Sequence, residues 1–355
     1  MKKMKIGLHG SYYGRNFGDT LILAIVVNWI REYNPQAQIF LPFVTSEQEA
    51  LEILGHKNPE FSLSDMDGLI FGPGGYFGEP SGGLIKRLKW SWRNFERHIK
   101  WNTILYKSKQ PYMIVGVGVG PLSLPFIRKG VVKLFVNSKY IAVRDKYSRQ
   151  YLIDWGVPKD KINVTSDVAL TLIPNPDIKT VKNKVGLHYP TPLIHDEHLL
   201  KAFIDFFKFI NNEYDIQFIE DINGQFSRSK NPNNLKNILD SQGLKFPVVE
   251  YKDPQSLIKN LQSFDMIITS KLHLGIVGYS LGKKVLAIPQ HPKTMRFYEQ
   301  IERLEFCIPV QNVTSDLLLE KFKKLNSISN EKNSQYEKSN LNKEIIISFL
   351  ETLPK

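Results

Sequence analysis

At 355 residues the chain is too long for one ordinary core and suits two domains of about 150 residues each, with a tail left over. Its 42% hydrophobic, 12% aromatic and 23% charged residues exclude a disordered or fibrous protein, and the single cysteine, Cys307, excludes an internal disulfide or a thiolate metal site, which favours a reducing, cytoplasmic setting. A formal net charge of +12 points to anionic partners without choosing among nucleic acid, an anionic membrane surface and a phosphorylated substrate.

The opening MKKMKIGLHG carries no apolar stretch of signal-peptide length, so Lys5–His9 reads as a first strand. GSYYGRNFGD, from Gly10 to Asp19, follows it and leads into the apolar helix TLILAIVVNWI. Gly14 and Gly18 permit close backbone approach there, and Asn16 and Asp19 suit hydroxyl groups, with Asp19 equally able to cap the helix. Gly68–Phe71 is the next strand. It runs into FGPGGYFGEP, where Gly74 and Gly75 expose backbone N–H groups to a ligand or serve turn geometry alone. Between Leu84 and Lys109, Lys86, Arg87, Lys89, Arg93, Arg97 and Lys100 interleave with Trp90, Trp92, Phe95 and Trp101. That pattern fits an interface with anionic lipid, or a helix whose aromatics pack on the sheet.

Tyr112–Val117 is a buried strand whose apolar surroundings, Gln110 to Ile127, are too broken by glycine and proline to span a membrane. The GVGVG run from Gly116 to Gly120 lacks both the spacing and the acidic partner of a dinucleotide fingerprint. Tyr140–Val143 delivers Arg144 to the start of the helix SRQYLIDWG, a place suited to a carboxylate or phosphate, or to an ion pair with Asp145. Ile162–Val164 closes this first set of strands.

Two prolines and no helical period between Asp167 and Lys184 mark a domain boundary, giving domains 1–172 and 173–325 with a linker and C-terminal helix over 326–355. Strands then resume at Val185–His188, Ile216–Ile219, Pro247–Tyr251, Met266–Thr269 and Lys284–Ile288, with helices such as Leu199–Asn211 between them. The rhythm predicts an α/β protein of two doubly wound parallel sheets. Asn223–Asn234 and Ser327–Gln335 read as surface loops, and Leu341–Leu353 as an amphipathic helix. Ligands of such sheets bind beyond the carboxyl ends of the strands. Ser270 there reads as an N-cap for a helix over Leu272–Leu281, which puts Lys271 and His273 in its first turn, while the next strand delivers His291 and Lys293 to the same edge. A histidine and two lysines converge where an anion would bind; the plainer alternative is that His273 only packs and caps its helix.

In order and spacing, NFGD (Asn16–Asp19), DGLIFGPGG (Asp67–Gly75), VRD (Val143–Asp145), SDVAL (Ser166–Leu170), KLH (Lys271–His273) and HPK (His291–Lys293) together resemble the polysaccharide pyruvyl transferase family. The resemblance implies two Rossmann-like domains facing across a cleft, as in glycosyltransferase-B enzymes. It implies transfer of a pyruvyl group from phosphoenolpyruvate onto a sugar of a cell-surface polysaccharide, or of its lipid-linked precursor, as a ketal. Phosphoenolpyruvate is then a co-substrate, no metal or bound organic cofactor is needed, and the inner face of the membrane is a natural workplace. Carried over by position, Arg144 and Lys293 hold the donor's anionic groups, His273 is the catalytic acid and Asp19 serves the acceptor side. The chemistry adds Lys271 to the donor's cations and asks Asp19 to act as base, and the loop readings above put Asn16, Gly74 and Gly75 with the acceptor. Two departures touch the donor: Lys271 stands where the family usually has arginine, and His188 stands near the place of a second arginine. Rival readings are a glycosyltransferase using a nucleotide-sugar or phosphosugar donor, and a non-catalytic module of polysaccharide assembly. Nucleic acid is disfavoured as a partner, since the basic residues are spread through the βα units without a binding motif.

Overall fold

Strands that are apolar along their whole length need helices on both faces, and among the described residues every paired strand runs parallel to its neighbours. The computed structural model describes residues 3–11, 16–42, 51, 53–60, 63–80, 82–191, 196–329 and 333–354, without the side chains of 102–104 and 106. Gly14 and part of the Ser327–Gln335 segment lie outside the described residues. The chain forms two units, Met1–Thr171 together with Gln335–Lys355, and Leu172–Ser334.

The first unit contains β1 (Lys5–His9), β2 (Gln38–Phe40), β3 (Gly68–Phe71), β4 (Gly74–Phe77), β5 (Tyr112–Val119), β6 (Ile141–Val143) and β7 (Ile162–Val164). Their order is β2-β1-β3-β5-β6-β7, with β4 also paired to β5. Chain direction across the sheet reverses at β1, so the edge above β1 and β3, where His9 stands opposite Phe71, is where this fold opens a ligand crevice. Below that edge the core gathers Phe71, Phe77, Val117, Leu134 and Phe135, with Phe77 edge-on to Phe135 at 5.0 Å.

The last helix, Tyr336–Glu351, belongs to this unit. It buries Ile346, Phe349 and Leu350, and its polar residues bond the turn that leaves β7. Ser339 Oγ donates to the Asp167 carbonyl at 2.7 Å, Asn342 Nδ2 to the Ser166 carbonyl at 2.9 Å, and Thr165 Oγ1 donates back to Asn342 Oδ1 at 2.9 Å. A polar turn can sit in the interior here because the helix supplies its partners.

The second unit contains β8 (Lys184–His188), β9 (Asp215–Ile219), β10 (Val248–Val249), β11 (Met266–Thr269) and β12 (Lys284–Ala287), in the order β10-β9-β8-β11-β12. The reversal falls between β8 and β11. One face is covered by the Glu197–Ile210 helix, which is N-capped by Asp196 and buries Leu199, Phe203, Phe206, Phe207 and Ile210 at helical spacing. Cys307 is buried in this unit, and burial pushes its thiol up to about 12, which leaves it protonated and inert.

Replacing Asn342 with Ala should lower stability by about 1–3 kcal/mol, because the buried Ser166 carbonyl loses this donor. A shift of the urea midpoint checks it.

Candidate active site

At the reversal of the second sheet, Thr269 of β11 stands opposite His188 of β8 and Ala287 of β12, so the connections leaving all three strands start at one level. The Ser270 N–H still donates to the His188 carbonyl at 3.1 Å, extending the ladder by one residue. This moves the N-cap from Ser270, where the sequence suggests it, to Lys271. No side chain caps the Leu272–Ser280 helix, and its positive end points out of the strand edge. His273 is the second residue of that helix, partly buried, with Nε2 shielded from solvent. Lys271 is 42% exposed at its side chain. His291 and Lys293, both exposed, occupy the N-cap and second positions of the next helix, Pro292–Gln300.

Sequence reasoning missed the carboxylates at this edge. Glu220, fully buried after β9, accepts from the N–H groups of Gly224, Phe226 and Ser227 at 2.8–3.1 Å and from Ser227 Oγ at 2.9 Å. Burial pushes its carboxyl up, but these hydrogen bonds outweigh it and hold the group below the usual range. The bent loop presents the next residue, Asp221, to two partners: Oδ1 lies 3.4 Å from His188 Nε2, and Oδ2 lies 3.6 Å from Lys271 Nζ. His188 is itself wholly buried, and its Nδ1 bonds the Ile219 carbonyl at 2.7 Å. The signal available in the sequence was an acidic pair directly after an apolar strand, in IQFIED.

In the first unit, Asn16 N-caps the Phe17–Tyr33 helix by accepting from the Asp19 N–H at 3.1 Å, and its amide donates to Asp19 Oδ2 at 2.8 Å. The two close a reciprocal cap in which Asn16, not Asp19, holds the N-cap position. Gly74, with φ +145°, lies under the Tyr76 ring, whereas Gly75 is exposed. Arg144 is not a loop residue open to solvent: it is 7% exposed, and its Nη1 donates to Asp167 Oδ2 at 3.0 Å, with Asp145 Oδ2 4.0 Å from Nε. Asp145 itself N-caps the Lys146–Asp154 helix. The guanidinium crosses β5 at Gly118, where a Cβ would meet its nitrogens at 2.9 Å, and its Nη2 edge lies beside Gly75. The glycine run of β5 thus serves an arginine and, at Gly116 with φ +65°, a register irregularity in the β5–β6 ladder.

Beside this edge His9 and His98 share a 2.7 Å hydrogen bond, and Tyr76 stacks on His98 with centroids 4.4 Å apart. His98 comes from a single π turn, Phe95–Ile99, inside the long basic segment. The helix before it, Leu84–Asn94, is inverted: its buried residues are Ser91 and Asn94, while Leu84, Ile85 and Trp92 are 62%, 71% and 56% exposed. It is fixed by polar bonds, from Arg87 and Ser91 to Glu79 and from Asn94 Nδ2 to the Gly78 carbonyl. Its aromatics therefore face away from the sheet, and Arg93 lies over the Trp90 ring at 3.7 Å. Among the described residues no three His, Cys, Asp or Glu side chains are grouped to hold a metal ion, and no helix is long and apolar enough to cross a membrane.

The sequence profile of the family described as polysaccharide pyruvyl transferase matches residues 16–292. A search of curated proteins finds no match. Among solved structures, the chain resembles MnaA of S. aureus, solved with UDP, at a TM-score of 0.61 and 11% identity over 99% of this chain and 96% of that one. It also resembles UDP-GlcNAc 2-epimerase of Methanocaldococcus jannaschii, solved with UDP-GlcNAc and UDP, at 0.60 and 13% over 98% and 100%. Anabaena Alr3699/HepE in complex with UDP follows at 0.53 and 12% over 99% and 100%. At such identities the likeness carries the fold: two Rossmann-like units on one chain.

Burial lowers His9 to about 3, and burial, with His9, Arg97 and Arg93 adding to it, holds His98 well below the ordinary histidine value of 6.5. Both rings are neutral in the folded protein, so below pH about 6.5 the unfolded chain takes up protons that the folded one refuses. Stability should be full above that value and decline as pH falls from 6.5 toward 3. His98→Gln should flatten the decline in urea midpoints between pH 7.5 and pH 5.

Proposed function

Because the chain belongs to the polysaccharide pyruvyl transferase family, we propose that it moves the pyruvyl group of phosphoenolpyruvate onto two hydroxyls of a saccharide as a ketal. The observation that carries this reading is the uncapped helix end at the reversal of the second sheet, with Lys271 at its cap position, His273 in its first turn and Lys293 at the start of the neighbouring helix. A dipole end and two lysines suit the phosphate and carboxylate of the donor. His273 gives a proton to the donor's methylene carbon. The adjacent carbon becomes cationic, one sugar hydroxyl attacks it, phosphate leaves, and a second hydroxyl closes the ring. In this reading Arg144 reaches an anion with the guanidinium edge beside Gly75. Asp19 takes the proton of the first hydroxyl, the departing phosphate takes that of the second, and Asn16, Gly74 and Gly75 contact the sugar. His273→Gln should cut ketal formation by about 10² to 10⁴ while donor affinity changes little. The measurement is phosphate release from phosphoenolpyruvate with a saccharide acceptor, with the ketal identified by mass spectrometry. Near wild-type turnover in a folded variant would remove His273 from the mechanism, and turnover with a UDP-sugar in place of phosphoenolpyruvate would mark a glycosyltransferase.

The acceptor in this reading is the lipid-linked precursor of a surface polysaccharide, met at an anionic bilayer. The inverted Leu84–Asn94 helix supports it: Leu84, Ile85, Trp90 and Trp92 face outward among Lys86, Lys89 and Arg93, the helix contains no acidic residue, and Phe126 adds an exposed ring 6.4 Å from Trp92. Apolar rings to enter the headgroup layer and cations to hold it are the two components of interfacial binding. Vesicles containing phosphatidylglycerol should float the protein, with salt weakening the attachment and Ile85→Glu/Trp92→Glu abolishing it. Equal flotation with neutral vesicles would reject the anionic preference, and no flotation at all would reject the membrane role.

A further inference from the structure

His188 Nε2 and Asp221 Oδ1 are both buried and lie 3.4 Å apart, yet among the described residues neither atom has a hydrogen-bond partner. The reason lies on the other side of the ring. Nδ1 bonds the Ile219 carbonyl at 2.7 Å, and because a carbonyl only accepts, Nδ1 must carry the proton. In a neutral ring Nε2 is then a bare lone pair facing a carboxylate oxygen. A second proton on the imidazole turns this repulsive contact into a charge-assisted bond.

The charges around the pair set when that proton is held. The groups facing His188 are Asp221 and Glu220 from the β9 connection and Lys271 from the β11 connection. Glu220 is already committed to the N–H groups of its own loop. That leaves Asp221, shared between Lys271 and His188. While the ring is neutral, Lys271 and Asp221 cancel, and this pair offers an arriving anion no net charge. With the ring protonated, the three groups sum to one positive charge. Burial of the ring opposes that proton, and an arriving anion favours it.

We propose that Asp221 is a specificity-determining residue that occupies the cationic seat of Lys271 as an internal counter-anion, so that a small anion binds at this edge with uptake of one proton, held as a His188 imidazolium bonded to Asp221. The proton comes from solvent and no covalent bond changes. Selection follows from the same arrangement: a ligand that brings negative charge to Lys271 draws the proton in, and a neutral sugar does not. The anion's identity as phosphoenolpyruvate rests on the donor assignment above, whereas the His188–Asp221 couple is a property of the protein alone.

Two measurements on the full-length chain test it. Histidine ring signals followed by NMR against pH, without ligand, should show the His188 proton affinity falling by more than tenfold in Asp221→Asn. An unmoved His188 titration would overturn the proposal. Calorimetric titration of phosphoenolpyruvate in buffers of different ionisation enthalpy should show about one proton taken up per donor, with Kd weakening about tenfold per pH unit above neutrality. In Asp221→Asn the uptake should vanish and binding at pH 8.5 should tighten, while His188→Gln should lose the uptake and bind more weakly. Binding with no proton uptake in the wild type would also overturn it. Phosphoenolpyruvate that fails to bind would count against the donor assignment, and the ligand-free NMR titration would still decide the couple.

Discussion

Parallel pairing is the constraint on which the rest of this molecule depends. Each strand must be re-entered from the same end, so every strand of a sheet finishes at one edge, and side chains far apart in sequence are delivered there together. In the first unit that edge collects His9, Gly74, Arg144 and Asp167, and in the second His188, Asp221, Lys271 and His273. Apart from His9 and His188, the last residues of β1 and β8, the strands contribute little chemistry. The inner strands β3, β6 and β11 are buried along their whole length, and polar residues begin where the ladder stops, as at Thr269–Ser270 and Val143–Arg144.

Carrying charge at the rim of an apolar sheet needs local compensation, and for three of the carboxylates the chain provides it by several donors. Glu79 takes hydrogen bonds from Arg87, Ser91 and Ser123, Glu220 from its own loop, and Asp167 from Arg144 and the Ala169 N–H. Losing one partner of such a buried pair costs about 3–5 kcal/mol, whereas an exposed pair such as Lys100–Glu96 contributes well under about 1 kcal/mol. For that reason Arg144 cannot be treated as a simple anion contact: its side chain is also the ion-pair partner of Asp167 inside the first unit.

The sheets were legible in the sequence because apolar runs of strand length bounded by glycine, proline and small polar residues leave few alternatives, and the clustering of Lys271 and His273 followed from a strand ending directly before a helix. What was not legible depended on distance in the chain. Nothing near His9 points to His98, 89 residues on, and nothing near His188 points to Asp221; both pairs exist because separate connections end at one edge. The basic-aromatic helix shows the opposite limit. Its composition was plain, but which face it buries is decided by Glu79, a carboxylate that draws Arg87 and Ser91 inward and leaves the tryptophans outside.

The last helix has a consequence for how the molecule comes to exist. Residues 172–334 are one unbroken stretch, all made before the final helix, whereas the first unit is split and receives Asn342 and Ser339 only from that helix. Until those residues arrive, the turn that holds Asp167 has polar groups turned toward an interior not yet closed. The half of the protein that is translated first is therefore the half that is completed last.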